Sequence, residues 1–421
     1  MRHFFSLLLF SILACIASAQ QAHNFFHRIS SDQGLSNNQI NAIFADSNGY
    51  LWLASVSGLN RFDSHTFRVF KNDPRDPNSL PENIITDIFE DHTGRLWLLT
   101  NESVYFYNPE TETFGSTHPF LEMDTTLVRV GVRTVMADGE GNTWIGHRDS
   151  GLWFYDGDSK TLQNVIISRK DSLPINSRRV VDLVVTAKIL YVAYESAYIE
   201  IIDRKSLESI RVIDMYIGRP ATAVAETFRL FVDSGEHLWL FNPRNDEELF
   251  HYDPDRDKVS VFRALESEEK FPVVCISDVE EDNFGRIWVG TDHGGLYILD
   301  KENGTSTIFK NKPGDETSIS ANTITSLCKT NDGIIWVGTF KNGVNYYHPE
   351  LFQFEWYHSS PSNESNYFSN DVNCFAEDGK GNLWIGTNDD GLVYFDRKNL
   401  KFTHYRHDPN DPKSLSNNIV V

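Results

Sequence analysis

The chain has 421 residues, of which 40% are apolar and 13% aromatic, a composition typical of a large folded protein. Its 38 basic residues stand against 59 acidic ones and give a formal net charge of −21. Because so acidic a chain repels phosphate backbones, these values argue against nucleic acid as a partner. The cysteines show no CxxC spacing, so we interpret Cys275, Cys328 and Cys374 as core residues rather than as metal ligands or a disulfide framework.

The chain begins with a pattern typical of a secretory signal. A short basic start precedes an apolar run over residues 4–16, and the small residues 17–19 follow as a cleavage site. The run is too short to span a bilayer. We therefore predict that residues 1–19 are a cleaved signal peptide. The alternative is a lipoprotein cleavage box ending at Cys15, which the sequence fits poorly.

A tryptophan motif then recurs at a nearly constant step along the chain. Its members are Trp52, Trp97, Trp144, Trp239, Trp288, Trp336 and Trp384. Tyr191 lies at the centre of the one double interval, and its hydroxyl predicts a partly wet site. A period of about 40–50 residues that contains four short apolar runs is typical of a β-propeller with four-stranded blades. We therefore predict an all-β fold.

Most repeats carry an Asp-x-x-Gly turn before the tryptophan, as at Asp282 and Gly285. The aspartate is expected to hydrogen-bond the turn backbone, and the glycine to adopt a positive φ. Gly235 lies one place early in its repeat, which predicts a different turn there. An asparagine also recurs at the start of the first strand of several repeats, and we interpret it as a cap of the turn between blades. The members of this set are Asn38, Asn83, Asn322 and Asn370.

The two ends of the repeat array predict how the blades are arranged. Residues 25–29 resemble an outermost strand, and we expect them to pair with the Trp336 blade and close a ring. Residues 22–350 would then form a seven-bladed β-propeller. The segment over residues 72–80 returns as residues 407–415. Residues 351–421 are therefore predicted to start a second, incomplete propeller with one blade and a truncated strand.

Candidate ligand residues lie in the loops that follow the tryptophan-bearing strands. These loops and the loops between blades emerge on one face of a propeller, so their side chains are expected to surround one mouth. The predicted ligand-binding residues are His147, Arg148, Asp292, His293, Lys341 and Asn388. The alternative is that they form ordinary solvated turns. The sequence contains no Gly-x-Ser-x-Gly, His-Glu-x-x-His or phosphate-loop motif, so we predict no catalytic residue, metal site or cofactor.

Taken together, these motifs resemble the two-component regulator propeller family. The resemblance rests on residues 34–38, 343–347 and 378–392 and extends over residues 22–421. In that family the propellers form the periplasmic sensor of hybrid histidine kinases, many of which control polysaccharide utilisation in Gram-negative bacteria. The resemblance implies a periplasmic region that responds to an oligosaccharide and has no catalytic activity of its own. It also implies further sensor domains in the same chain, an inner-membrane anchor and a homodimeric full-length protein.

Two other functions remain open from the sequence. Similar seven-bladed folds include the streptogramin lyases, so a propeller enzyme is one alternative. Sialidases also carry a related Asp box, but the turn from Asp46 to Gly49 is one residue longer than that box, and no acid/base pair stands out. The other alternative is a protein-interaction platform without a small ligand.

Overall fold

The structure is a computed structural model that describes residues 26–101, 103–118, 130–167, 179–215, 227–243, 248–262, 275–348, 371–399 and 401–421. These residues form eight four-stranded antiparallel sheets and no α-helix, which confirms the predicted all-β fold. The chain divides by its contacts into two units. The first comprises Met1–Asn311 and Ser318–His348, and the second comprises Lys312–Thr317 and Pro349–Val421.

Sheets 1 to 3 take their strands in sequence order. They consist of β2 Ile40–Ala45, β3 Leu51–Ser55, β4 Gly58–Phe62 and β5 Phe67–Phe70; β6 Asp87–Glu90, β7 Leu96–Leu99, β8 Val104–Asn108 and β9 Thr113–Gly115; and β10 Val132–Ala137, β11 Thr143–His147, β12 Gly151–Asp156 and β13 Thr161–Asn164.

Sheets 4 to 6 follow the same order. They consist of β14 Val180–Val185, β15 Ile189–Tyr194, β16 Tyr198–Asp203 and β17 Ser209–Asp214; β18 Arg229–Val232, β19 Leu238–Phe241, β20 Phe250–Asp253 and β21 Lys258–Val261; and β22 Ile276–Glu281, β23 Ile287–Thr291, β24 Leu296–Leu299 and β25 Ser306–Phe309.

Sheet 7 differs because its outer strand comes from the start of the chain. It consists of β26 Ile324–Lys329, β27 Ile335–Thr339, β28 Val344–Tyr347 and β1 His27–Ile29. Sheet 8, in the second unit, consists of β29 Val372–Glu377, β30 Leu383–Thr387, β31 Leu392–Asp396 and β32 Lys401–Tyr405.

The first strand closes the circle of sheets in the first unit. β1 pairs antiparallel with β28, with Arg28 opposite Asn345. The ring of Phe26, which is 2% exposed, lies 5.9 Å from that of Tyr347 and 6.4 Å from that of Trp288. The predicted pairing with the Trp336 blade is therefore confirmed, although residue 25 lies outside the described part of the chain.

Sheets 1 to 7 contact one another in cyclic order. The first strands of sheets 1 to 5 are neighbours in turn, as are those of sheets 6, 7 and 1, so that β26 of sheet 7 lies beside β2 of sheet 1. Apolar side chains fill the space between sheets. Trp239 of sheet 5, for example, packs in one cluster with Ile276 and Val289 of sheet 6. The first unit is therefore a β-propeller in which the first strand of each blade is innermost.

In five sheets of the first unit, the aspartate of the first turn is tied to the tryptophan that follows it. Asp46 Oδ1 accepts the backbone N–H groups of Asn48 and Tyr50 at 3.0 and 2.8 Å, while Oδ2 accepts the indole N–H of Trp52 at 2.7 Å. The same indole–carboxylate bond, at 2.9–3.2 Å, joins Trp97 to Asp91, Trp144 to Asp138, Trp239 to Asp233 and Trp288 to Asp282. All five indoles are at most 1% exposed. One carboxylate thus fixes both the hairpin and the core between blades.

The other two sheets of the first unit depart from this arrangement. In sheet 7, Thr330 occupies the aspartate position, and the indole nitrogen of Trp336 has no hydrogen-bond partner among the described residues. In sheet 4, Thr186 and Tyr191 replace the pair. Tyr191 is only 3% exposed, so the predicted wet site at this position is wrong; the neighbouring apolar side chains of sheets 4 and 5 enclose the ring.

We expect the first strand to be essential for stability. Removal of residues 24–30 would leave β28 as an unpaired edge and delete the contacts of Phe26, so the melting temperature should fall sharply and the protein should aggregate on heating. Phe26→Ala alone should lower the free energy of unfolding by about 3–5 kcal/mol. His27→Ala, an exposed change in the same strand, should cost less than about 1 kcal/mol. Equal losses from the two substitutions would contradict this assignment.

Thr330→Asp should stabilise sheet 7, because it supplies the acceptor that the Trp336 indole lacks. We expect a gain of about 1 kcal/mol in denaturant unfolding and a downfield shift of the Trp336 indole proton by NMR. The reverse change in sheet 6, Asp282→Thr, is the matched control and should destabilise by a larger amount because it orphans a buried donor. An unchanged indole proton in Thr330→Asp would show that the new carboxylate does not reach Trp336.

Candidate functional site

The predicted ligand residues lie at one end of their sheets. His147 ends β11 and Arg148 follows it, Asp292 and His293 follow β23, and Lys341 lies in the loop after β27. All of them lie at or just after the end of the tryptophan-bearing strand, which brings the loops of sheets 3, 6 and 7 to the same face of the propeller. Asn388 has the equivalent place after β30 in the second unit, where its amide donates to Asp371 Oδ2 at 3.0 Å.

His147 is an anchor of its loop. Its side chain is 1% exposed. Nδ1 lies 3.0 Å from the backbone nitrogens of both Asp149 and Ser150, and Nε2 lies 3.0 Å from the carbonyl oxygen of Val130. Because Nδ1 accepts and Nε2 donates, the ring is held as the neutral Nε2–H tautomer. Gly131, at φ +105°, leaves room for it, since a Cβ there would lie 2.9 Å from Cε1 of His147.

Arg148 belongs to a line of alternating charges that crosses from sheet 3 to sheet 4. Its guanidinium lies 3.1 Å from Asp149, Asp149 lies 3.9 Å from Arg179, and Arg179 lies 2.9 Å from Glu195. The hydrogen bond from Arg148 lowers the pKa of Asp149 below its usual range. Asp149 is therefore ionised across the physiological range, and the side chains of the line remain partly accessible to solvent.

A small cleft of about 70 Å³ opens beside this line. Its walls carry the Asn164 amide, the Ser150 hydroxyl and the apolar side chains of Ile166 and Tyr194. Ile166 is 81% exposed, which is unusual for a large apolar side chain. The cleft thus combines an apolar wall with polar groups at its edge, as small-ligand subsites do.

The remaining predicted residues are exposed. His293 adopts φ +70°, and its Nδ1 lies 2.6 Å from Asp292 Oδ1. The ammonium group of Lys341 lies 5.0 Å from the centre of the Phe340 ring, a cation–π contact. Phe340 is itself 41% exposed. These side chains have the planar and charged groups that polar ligands require, but they are held by few contacts.

The recurring asparagine is a structural cap, as interpreted from the sequence. Asn83 Oδ1 accepts the backbone N–H of Asn72 at 2.8 Å, and its carbonyl oxygen accepts that of Gly58 at 3.1 Å. Asn322 does the same for Asn311 and Gly295. Asn38 also holds a loop in this way, whereas Asn370 lies outside the described residues.

A second polar cluster, which the sequence analysis missed, lies at the centre of the propeller. The first strands place one residue each at an equivalent register position: Ala42, Asp87, Thr134, Asp182, Arg229, Asp278 and Ser326. Arg229 Nη2 lies 3.4 Å from Asp87 Oδ2 although sheets 5 and 2 are not neighbours. Their side chains keep 42% and 25% of their accessible surface, so they face an internal channel that admits water. Alignment of the repeats on their tryptophans would have revealed this position.

The channel cluster is electrostatically unbalanced. Burial raises the pKa of Asp87 and of Asp182, and it raises that of Asp278 to about 7; the guanidinium of Arg229 opposes each shift. Burial also disfavours the charge of Arg229, but Asp182 and Asp87 outweigh it and raise the Arg229 pKa. One permanent cation therefore faces three carboxyl groups in a space of limited hydration.

The described part of the chain contains no group of three or more potential metal ligands. No helix in that part is long and apolar enough to cross a membrane.

The fold has close structural counterparts. The extracellular domain of a putative hybrid two-component system from B. thetaiotaomicron matches with a TM-score of 0.59 and 17% identity, over 91% of this chain and 55% of that one. A second such domain from the same organism matches with a TM-score of 0.59 and 20% identity, over 94% and 49%. A streptogramin B lyase matches with a TM-score of 0.54 and 11% identity, over 78% and 99%. At these identities the likeness concerns the fold alone.

The sequence comparisons identify the repeats. Histidine kinase P4 from Formosa agariphila is 40% identical over 76 residues, which are 18% of this chain and 6% of that protein. The chain thus matches only a small share of this relative and about half of the two-component structures. The two component regulator propeller model matches residues 34–57, 79–102, 270–293, 318–341 and 366–389. Five segments of this chain are therefore repeats of the two-component regulator propeller type.

Proposed function

We propose that this chain is the ligand-sensing propeller region of a hybrid two-component sensor in the periplasm. The observation that carries the proposal is the match of five separate repeats to the family. The extracellular two-component domains of similar fold support the same role. In this proposal the chain senses a ligand and has no catalytic activity, and further domains of the same protein carry the signal to a kinase across the inner membrane. The full-length protein would act as a homodimer.

In this proposal, successive parts of the sequence have different roles. Residues 1–19, outside the described part, would direct export and be removed. Residues 22–350 would form the sensing propeller, and residues 351–421 would begin a second one. The separate contact unit at Pro349–Val421 supports such a division.

We further propose that the ligand is an oligosaccharide and that it binds the loop face defined by Arg148, Asp292, His293 and Lys341. Guanidinium and carboxylate groups can each bridge neighbouring sugar hydroxyls, and the line from Arg148 to Glu195 offers these two groups in alternation. The opposite face offers less, because the aspartates of its turns already bind backbone and indole N–H groups. His147 would contribute indirectly by holding the loop.

This assignment can be tested with a panel of oligosaccharides and isothermal calorimetry. For any binder found, Arg148→Ala and His293→Ala should each weaken affinity roughly 2- to 10-fold, since each removes one or two hydrogen bonds of about 0.5–1.5 kcal/mol. Arg256→Ala is the matched control, because Arg256 is an exposed arginine, 81% accessible, in the outer hairpin between β20 and β21. A binder that tolerates the first two changes but not the third would place the site on the other face.

The enzymatic alternative rests on the streptogramin B lyase, whose whole chain is covered by the match. That likeness concerns the fold, and propellers host many functions. Turnover of a small substrate by the purified protein would favour this alternative over a sensor. An interaction platform would instead show specific protein binding and no small ligand.

A further inference from the structure

Side chains on the first strand of one sheet accept hydrogen bonds from backbone N–H groups on the first strand of the next sheet. The first strand of each sheet is an edge strand, so its outward N–H groups need partners from elsewhere. Asp182 Oδ2 accepts the N–H of Leu230 at 2.9 Å between sheets 4 and 5. Ser326 Oγ accepts the N–H of Ile43 at 3.2 Å between sheets 7 and 1. Asp182 and Ser326 occupy the same register position, so these two bonds join neighbouring sheets in the same way. We call each such junction between the first strands of neighbouring sheets a seam.

The seam between sheets 6 and 7 uses two carboxyl groups. Asp278 Oδ2 accepts the N–H of Leu327 at 2.7 Å, and Glu280 Oε2 accepts that of Lys329 at 3.1 Å. Because the two acids are two residues apart on β22, their side chains leave the same face of the strand. The second oxygen of each accepts another N–H, from Val279 and Glu281 at 2.9 Å. Together they hold two successive outward N–H groups of β26.

Among the described residues, no cation lies close enough to form an ion pair with either Asp278 or Glu280. The charges that face them are Arg229 from β18, which also faces Asp87 and Asp182, and Lys329 from β26. The Cys328 thiol from β26 also faces them. Glu281, the next residue on β22, is paired with Lys301.

We propose that Asp278 and Glu280 hold one proton between them near neutral pH, and that losing it weakens the seam between sheets 6 and 7. Two ionised carboxylates side by side on one strand would repel each other in a space of limited hydration. A shared proton removes that repulsion and leaves enough oxygen lone pairs for both backbone N–H groups. The propeller would thereby respond to the pH of its surroundings.

The electrostatics of the pair support this arrangement. Burial raises the pKa of both groups; the charge of Glu280 also raises the pKa of Asp278, bringing it to about 7, and the charge of Glu281 adds to the rise for Glu280. An unfolded aspartate titrates at about 3.9. The stabilisation from the held proton is therefore fully present below about pH 4 and is lost as the pH rises through about 7. Because the two groups interact, these steps belong to the pair rather than to either residue.

Hydrogen exchange tests the proposal in the unmodified protein. After correction for the intrinsic pH dependence of exchange, protection of the Leu327 and Lys329 amides should fall between pH 5.5 and 8.5. The Ile43 amide is the internal control, because a hydroxyl that does not titrate holds it at the equivalent seam. Parallel protection of all three amides across this range would overturn the proposal.

Two substitutions identify the groups. In Asp278→Asn and in Glu280→Gln, the pH dependence of Leu327 protection should be lost, whereas Asp182→Asn at the equivalent position should retain it. The infrared C=O intensity of protonated carboxyl groups should fall between pH 6 and pH 8.5 in the unmodified protein, and the part of this fall that belongs to the pair should be missing in the double variant Asp278→Asn with Glu280→Gln. Asp87 and Asp182, whose pKa values burial also raises, contribute to the band of both proteins, so the difference between the two is the readout. An identical fall in the two proteins would refute the shared proton.

Discussion

The bond between an aspartate and a tryptophan indole is the constraint on which the propeller depends. A carboxylate has two oxygens, and here one holds the hairpin backbone while the other holds the indole, so the position of the turn fixes that of the largest core side chain. In several sheets a basic side chain also contacts this carboxylate. These contacts join Lys301 to Asp233, Arg286 to Asp282, Arg204 to Asp138 and His118 to Asp91. Burial alone would raise the pKa of Asp91, but hydrogen bonds from His118, Thr93 and Trp97 outweigh it and lower the pKa to about 2. These turns are therefore stable charged elements rather than flexible hairpins.

Because of this constraint, side chains can vary more on one face of the propeller than on the other. On the face that carries the aspartate turns, the aspartates already accept hydrogen bonds from backbone and indole N–H groups. On the loop face, each loop has its own anchor: the caps at Asn38, Asn83 and Asn322 in some sheets, and His147 in sheet 3. Since the anchors are set back from the surface, neighbouring residues such as Arg148 and His293 can vary without loss of the fold. Recognition is therefore more easily built on the loop face.

The fold could be predicted from the sequence because the period and the turn chemistry repeat, and the closing strand could be predicted because residues 25–29 match an outermost strand. The turn near Gly235 was not predicted correctly. Asp233 makes the same backbone bonds there as its equivalents, and Glu236 adopts the positive φ, 61°, that glycine adopts elsewhere, so the predicted change of turn is wrong. The burial of His147 could not be predicted, because it depends on Val130 in the preceding loop. Nor could the contact of Arg229 with Asp87, since it depends on which sheets lie opposite each other around the ring.

Three independent features concentrate in sheet 7. Its outer strand, β1, is joined to it by pairing and by the packing of Phe26 rather than by a hairpin. Its tryptophan, Trp336, lacks the acceptor that the other tryptophans of the first unit possess. Its inner strand is held to sheet 6 by the carboxyl pair of Asp278 and Glu280. A closed ring opens where its bonds are weakest, and local opening in proteins starts from such regions. We therefore expect the ring to open first at sheet 7, and any signal that loosens the propeller to act there before it reaches the loop face of sheets 3 and 4.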